Sequence, residues 1–228
     1  MNYFSDRTVA GSLLADQISG QYSGDNTLVI ALSEGAVIVG AEIAKRIHSS
    51  LYIFASQKVS GDSDGEATAL GSAGVFSYNT AVALGALEED VEAFRMYTDQ
   101  RSMNEFLKLN HVAGKDGTIP RQLLKRHTII LVSDGLNNAM SLEIAAYYLK
   151  GIDIKKLIIA TPIASGQAID KMHILVDQIF CLRSVESFIG VNHYYELNAL
   201  PDDKTVVEIM QKIVLNWNQT DTNLAANN

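Results

Sequence analysis

Asp134 is the residue of this chain best placed to do chemistry. It follows the apolar run Thr128-Ile-Ile-Leu-Val132 and Ser133, and it precedes Gly135-Leu136-Asn137-Asn138-Ala139-Met140-Ser141. A carboxylate at the end of a buried strand, followed by a polar loop that opens a helix, makes a site for a phosphorylated ligand. The free N–H groups of the helix's first turn point at the anion, and the helix dipole favours negative charge there. In such a site Asp134 holds a hydroxyl or a metal, and Asn137 to Ser141 wrap a phosphate. The same residues also fit a plain structural turn with Ser141 as the helix N-cap.

The elements that must position this turn are legible as apolar periodicity. Leu142, Ala145, Ala146 and Leu149 recur at helical spacing and Gly151 follows as a stop, before a second apolar run, Leu157 to Ala160. Strand, helix and strand in that order predict two parallel strands joined by a right-handed crossover. An earlier unit repeats the pattern: strand Leu28–Leu32, turn Ser33-Glu34-Gly35, helix Ala36 to His48, strand Leu51–Ala55. Before it, Val9, Leu13, Leu14 and Ile18 share one helical face, with Ser5 or Asp6 as cap. Residues 58–74 read as a glycine-rich loop of the lid or hood type, followed by a hairpin at Val75–Tyr78 and Ala81–Leu84 and a helix from Leu87 to Leu109. Past Pro162 come a short helix (Gly166 to Met172), a strand (Gln178 to Leu182), an aromatic-rich stretch and a final amphipathic helix (Asp202 to Trp217). The predicted fold class is α/β, a doubly wound parallel sheet whose central strands are 28–32, 51–55, 129–133 and 157–161.

Composition narrows the function. Lys and Arg number 18 against 26 Asp and Glu, a formal charge of −8, which argues against a general nucleic-acid binder. A phosphate site lined by backbone N–H groups needs little basic side-chain charge, so anionic small ligands remain open. Cys181 is the only cysteine; it fits a small buried hydrophobe on a strand and a reducing compartment. Neither a signal peptide nor a membrane span is evident, so the expected location is cytoplasmic with no membrane partner. The histidines are scattered, without a pair at metal-ligand spacing. Residues 220–228 are polar and read as a disordered tail after a single domain over 1–219.

In the order of its landmarks the chain resembles the type I phosphoribosyltransferases. It looks most like a bacterial branch opening Phe-x-Asp-Arg-x-x-Ala-Gly-x-x-Leu-Ala, matched here by Phe4, Asp6, Arg7, Ala10, Gly11, Leu14 and Ala15. Ser33-Glu34-Gly35-Ala36-Val37 stands where that branch carries a pyrophosphate loop, typically Pro-Arg-Gly-Gly-Val. Lys58, Glu66 and Leu70-Gly71 resemble the segment that follows. Val132 to Ser141 aligns with Val-Asp-Asp-Gly-Ile-Ala-Thr-Gly-Ala-Thr, the loop that binds phosphoribosyl pyrophosphate, and Phe188-Ile-Gly-Val-Asn-His-Tyr-Tyr195 is similar to the branch's hood segment. The resemblance implies a small hood subdomain from about 58–85 and 183–200.

It also implies transfer of a phosphoribosyl group to a nucleobase-like acceptor, with Asp134 as the catalytic residue that holds the donor's ribose hydroxyls. Ser33, Glu34, Gly35, Lys58, Glu66, Ser133, Gly135, Leu136, Asn137, Asn138, Ala139, Met140, Ser141 and Phe188 would then be substrate-binding. Magnesium would be held through the ligand's pyrophosphate, with Asp134 as an indirect partner. The expected partner is a phosphorylated ribose or nucleotide, and a homodimer is one assembly such a chain could form.

The chain departs from the family at its anion loops. The adjacent acids are reduced to Ser133-Asp134, weakening the grip on ribose hydroxyls and metal. The family's Gly is Ala139, which tolerates positive φ at a cost of roughly 1 kcal/mol, and Met140 adds bulk. Glu34 reverses the sign where an Arg would neutralise the leaving pyrophosphate, a large part of such catalysis. Lys58 and Glu66 also fit solvated loop charges, Phe188 a core aromatic, and Tyr194 and Tyr195 a cover over the core edge. A transferase, a non-catalytic nucleotide- or phosphosugar-binding protein and an interaction scaffold all remain open.

Overall fold

The computed structural model describes residues 3–22, 26–54, 56–60, 67–71, 74–76, 119 and 121–213, and of 56–60, 67–71 and 74–76 the backbone alone. Its strands are β1 (Thr27–Ala31), β2 (Ser50–Ile53), β3 (Ser56–Ser60), β4 (Ala67–Gly71), β5 (Gly74–Phe76), β6 (Thr128–Val132), β7 (Lys156–Ser165) and β8 (Gln178–Val185). The helices are α1 (Arg7–Ile18), α2 (Glu34–Ile47), α3 (Arg121–Leu124), α4 (Met140–Leu149), α5 (Gly166–Leu175) and α6 (203–213).

The main sheet is parallel throughout, in the order β2-β1-β6-β7-β8. Alternate residues of its strands feed different cores. Val29, Ala31, Ile130, Val132, Ile158 and Ala160 pack with α1, α2 and α6 on one face. Leu28, Ile30, Ile129, Leu131, Leu157 and Ile159 pack with α3, α4 and α5 on the other. This is why the strands read as continuous apolar runs rather than alternating ones. Burying one such side chain stabilises by about 1.5–3 kcal/mol, against about 1 kcal/mol for a helix cap. The two cores therefore fix the architecture, and caps fix where helices begin.

Each of the four expected central strands is present, three of them shifted by a residue or extended and the one expected over 51–55 ending at Ile53. β7 runs beyond Pro162 to Ser165 because its second half has β8 on one side and the turn after β6 on the other, through the Leu136–Ala164 bridge. Segment 58–74 differs from the expected loop: β3, β4 and β5 form a separate antiparallel sheet in that order. Glycine-rich composition suggested a loop, yet the glycines Gly71 and Gly74 flank the β4–β5 connection, where a tight reversal suits them. Glu66, Ala81–Leu84, the Leu87–Leu109 segment and the tail lie outside the described residues.

α1 buries only part of the face expected, Leu14 and Ile18 but not Val9 and Leu13. Asp6 is its N-cap, accepting from the Val9 N–H at 2.8 Å, but Val9 and Leu13 are exposed. The buried stripe is Arg7, Ala10, Gly11, Leu14, Ala15 and Ile18. Close approach decides it: a Cβ on Gly11 would lie 2.8 Å from the Val39 carbonyl oxygen of α2. Small residues let the two helices touch, and that contact outweighs the larger apolar side chains of the other face.

Candidate functional site

In an open parallel sheet, ligands bind outside the carboxyl ends of the strands where the strand order reverses. Here that crevice lies between β1, whose chain continues outward to β2, and β6, whose chain continues to β7 and β8. β1 delivers Ser33, Glu34 and Gly35 to it, and β6 delivers Ser133 and Asp134.

Ser33 caps α2. Its hydroxyl accepts from the Ala36 N–H at 3.1 Å and donates to Asp134 Oδ1 at 3.0 Å. The N–H groups of Glu34 and Gly35 precede the first intrahelical acceptors, so α2 opens toward the crevice with donors to spare. Glu34 is exposed at the rim. Gly35 is required where it stands, since a Cβ there would collide with Asp134 Oδ2 and crowd Arg7 Nε.

Asp134 is 7 % exposed, and its second oxygen accepts from Arg7 Nε at 2.8 Å. Arg7 reaches this position from the first turn of α1 and is 2 % exposed. Its Nη2 donates to Asn192 Oδ1 at 2.7 Å, and its guanidinium carbon lies 4.6 Å from the centroid of the Tyr195 ring. Its Nη1 is buried without a hydrogen-bond partner. Tyr195 completes the arrangement by donating its hydroxyl to the Asp134 carbonyl oxygen at 2.6 Å. Burial, reinforced by the Asp134 charge and only partly offset by Arg7, drives the Tyr195 phenol far above its ordinary range. It therefore stays a donor.

The 3-10 turn Val191–Tyr194 roofs the crevice. It is tied down from the side: Tyr3 and Phe4 donate N–H groups to the Tyr194 carbonyl, and Glu196 and Leu197 donate to the carbonyls of Phe4 and Ser5. Between roof and floor is a cavity of about 370 Å³, lined by Ser33, Glu34, Gly35, Arg7, Asp134, residues 190–193 and Leu200. Arg7, Asn192 and His193 were thus not expected at the site. A signal for Arg7 exists in the sequence, since it falls on the i, i+3, i+4, i+7 stripe of small and apolar residues in α1, where an arginine needs a buried counter-charge.

The remaining expected residues fall into three groups. The turn 135–141 continues from Asp134 along the same edge but does not line the cavity. Ser133 bonds locally, its hydroxyl donating to the Gly135 carbonyl at 3.0 Å and accepting the Gly135 N–H at 3.2 Å. Leu136 is buried, its backbone exchanging hydrogen bonds with Ile163 and Ser165. Asn137 and Asn138 are exposed. Asn138 Oδ1 accepts the Met140 N–H at 3.2 Å, and the Ser165 hydroxyl bonds to the Asn137 carbonyl. Ala139, not Ser141, is the N-cap of α4, with φ 56° and ψ 14° in the left-handed region, so Ser141 lies inside the helix. The expected positive φ is adopted without a glycine. Met140 packs partly on the core beneath; the Ser141 and Leu142 N–H groups lie in the first turn of α4 and so have no intrahelical acceptors.

Phe188 belongs to neither anion loop. Its ring packs 5.2 Å from that of Tyr194, whose hydroxyl accepts the Ile189 N–H. Tyr194 and Tyr195 are both buried. Lys58 is on β3, and Glu66 is outside the described residues. Cys181 is half-buried on β8, where burial, its largest influence, pushes the thiol up and away from nucleophilic chemistry.

The donor set does not fit magnesium. One oxygen of Asp134 faces a guanidinium and the other a hydroxyl, Ser133 supplies no charge, and a buried cation already occupies the floor. Among the described residues no group of three His, Cys, Asp or Glu could hold a metal ion. None of the described helices is long and apolar enough to cross a membrane.

Comparison with known proteins shows the family and the fold. Two Mycobacterium tuberculosis proteins, from strains H37Rv and CDC 1551, bear names of the phosphoribosyl transferase class. Each is 26 % identical over 93 % of this chain and 47 % of its own length. The chain thus spans about half the length of these curated relatives. The crystal structure of TT1426 from Thermus thermophilus has the same fold, with a TM-score of 0.70 at 22 % identity, covering 93 % of this chain and 99 % of that one. The family model of the phosphoribosyl transferase domain matches residues 9–197, beginning just past Arg7. The chain belongs to the phosphoribosyl transferase family.

Proposed function

We propose that the chain binds a phosphorylated ribose or a nucleotide at the carboxyl edge of its sheet, with the phosphate on the 137–141 turn, and transfers a phosphoribosyl group poorly or not at all. The observation that carries this reading is the Arg7–Asp134 ion pair. With Asp134 committed to Arg7, a carboxylate for the ribose hydroxyls would have to come from position 133, which is a serine. Glu34 adds a like charge where pyrophosphate must leave. The phosphate turn, by contrast, keeps its left-handed residue at a cost in strain, and strain of that kind is retained where a site needs the geometry. The Phe-x-Asp-Arg opening supports placing the chain in the bacterial branch that carries it.

Calorimetry tests the reading. Ribose 5-phosphate or a nucleoside monophosphate should bind to the wild type, and Ser141→Asp, which puts a like charge at the head of α4, should weaken it by about tenfold or more. Transfer from phosphoribosyl pyrophosphate to the common bases should be absent or slow. Ser133→Asp with Glu34→Arg restores an uncommitted acid and reverses the rim charge. It should strengthen magnesium-dependent donor binding by roughly ten- to a thousandfold. Rapid transfer by the wild type would overturn the non-catalytic part; absence of phosphate-ester binding would overturn the whole.

A further inference from the structure

Asn192, in the roof of the cavity, has one end of its side-chain amide committed and the other not. Its Oδ1 accepts from Arg7 Nη2 at 2.7 Å. A guanidinium offers donors only, so the oxygen and not the amino nitrogen must face it, and the orientation of the amide is fixed. Arg7 is itself held, since its Nε donates to Asp134 at 2.8 Å. Asn192 is exposed and lines the cavity, and among the described residues nothing accepts from its Nδ2. The end that Arg7 does not hold is a donor, and a hydrogen bond at the carbonyl end strengthens it.

The surroundings decide what such a donor can meet. The roof stands on the start of the phosphate turn: a Cβ added to Gly135 would lie 3.1 Å from the Val191 side chain, next in sequence to Asn192. A ligand with its phosphate on residues 137–141 therefore leads its next atoms past Asp134 and Gly135, beneath Asn192. Of the fixed charges lining the cavity, Arg7 and Asp134 are paired with each other, and Glu34 is left at the exposed rim. The uncompensated charge is negative, which suits a sugar there better than a further phosphate.

We propose that Asn192 is a specificity-determining residue: its Nδ2 donates to a hydroxyl oxygen of the ligand's ribose and so selects ribosyl over deoxyribosyl phosphates. The proposal rests on the reading of this edge as a site for a phosphorylated ribose, and adds the side chain that reads the sugar. The contact is made without ordering a mobile group, because the amide is already fixed by Arg7 before the ligand arrives.

A nucleoside monophosphate, compared by calorimetry with its 2′-deoxy and 3′-deoxy counterparts, supplies the test. Wild type should bind the parent about three- to tenfold more tightly than at least one deoxy form. Asn192→Leu, similar in size but without a donor, should bind all three alike, with circular dichroism establishing that it is folded. If the variant is unfolded or binds none of them, two-dimensional NMR of isotope-labelled wild type decides. Asn192→Asp, which keeps an acceptor for Arg7, serves there only to identify the Asn192 side-chain amide signals by their loss. The parent should shift those signals, and the disfavoured deoxy form at equal saturation should not. Signals that respond alike to all three ligands, or a preference that survives in folded Asn192→Leu, overturn the proposal. If all three bind and wild type does not distinguish them, this inference fails alone. If none binds, the reading beneath it fails.

Discussion

Asp134 and Arg7 are each other's reason for being buried. Removing one partner of such a pair strands a charge and costs about 3–5 kcal/mol, whereas replacing both with neutral groups of similar shape is far milder. Arg7→Ala should therefore lose stability on that scale in urea unfolding, and Arg7→Gln/Asp134→Asn should recover most of it. Equal losses in the two would mean that packing, not charge, dominates. Ala139 presents the opposite case, in which opposing effects nearly cancel. Its left-handed backbone costs about 1–2 kcal/mol, but its methyl group is fully buried, worth about 0.8 kcal/mol. A glycine would add about 0.4–1 kcal/mol of unfolded-state entropy. Ala139→Gly should thus change stability by less than about 1 kcal/mol, and a large gain on thermal unfolding would mean the strain is uncompensated. The sequence made Asp134 conspicuous because it ends an apolar run. Arg7 was on view in the Phe-x-Asp-Arg opening but not as a site residue, because judging a helix face by the bulk of its apolar residues favours Val9 and Leu13 over a stripe containing Ala10 and Gly11.

Among elements, the strands of the main sheet were legible because both faces are buried, so each is a run of consecutive apolar residues. Segment 58–74 was not, because a small antiparallel sheet with glycines at its turns shares its composition with a loop. The cap of α4 was misplaced for a related reason: Ser141 is the better capping residue, but the turn geometry puts Ala139 there. The helix over 203–213 gives a pH test. Asp202 accepts the Thr205 N–H at 2.9 Å. Hydrogen bonds from the Thr205 side chain, then its backbone, hold that carboxyl below the usual carboxylate range. A depressed folded-state value stabilises above the unfolded-state value and is lost as pH falls through the folded one. Protection of the 203–213 amides, relative to the intrinsic exchange rate at each pH, should fall in acid, and Asp202→Asn should flatten that dependence. An unchanged acid response in the variant would assign the effect to another group.

At the scale of the molecule, the fold could be read from the order of apolar runs, while the cavity could not, because no local pattern announces contacts between distant segments. Arg7 and Asp134 are separated by 127 residues, and Arg7 and Asn192 by 185. Those separations bear on folding order. Closing so long a loop costs entropy before any contact repays it, so the sheet and its flanking helices should assemble first and the crevice last. The Arg7–Asp134 pair would then be absent from the rate-limiting barrier. Arg7→Gln/Asp134→Asn should leave the refolding arm of a stopped-flow chevron almost unchanged and place any loss in faster unfolding. A slowed refolding arm would instead put the pair in the nucleus. With late assembly, a newly made chain acquires its core before its binding site, and a nearly folded molecule would remain blind to its ligand until Arg7 settles between the acid and the roof.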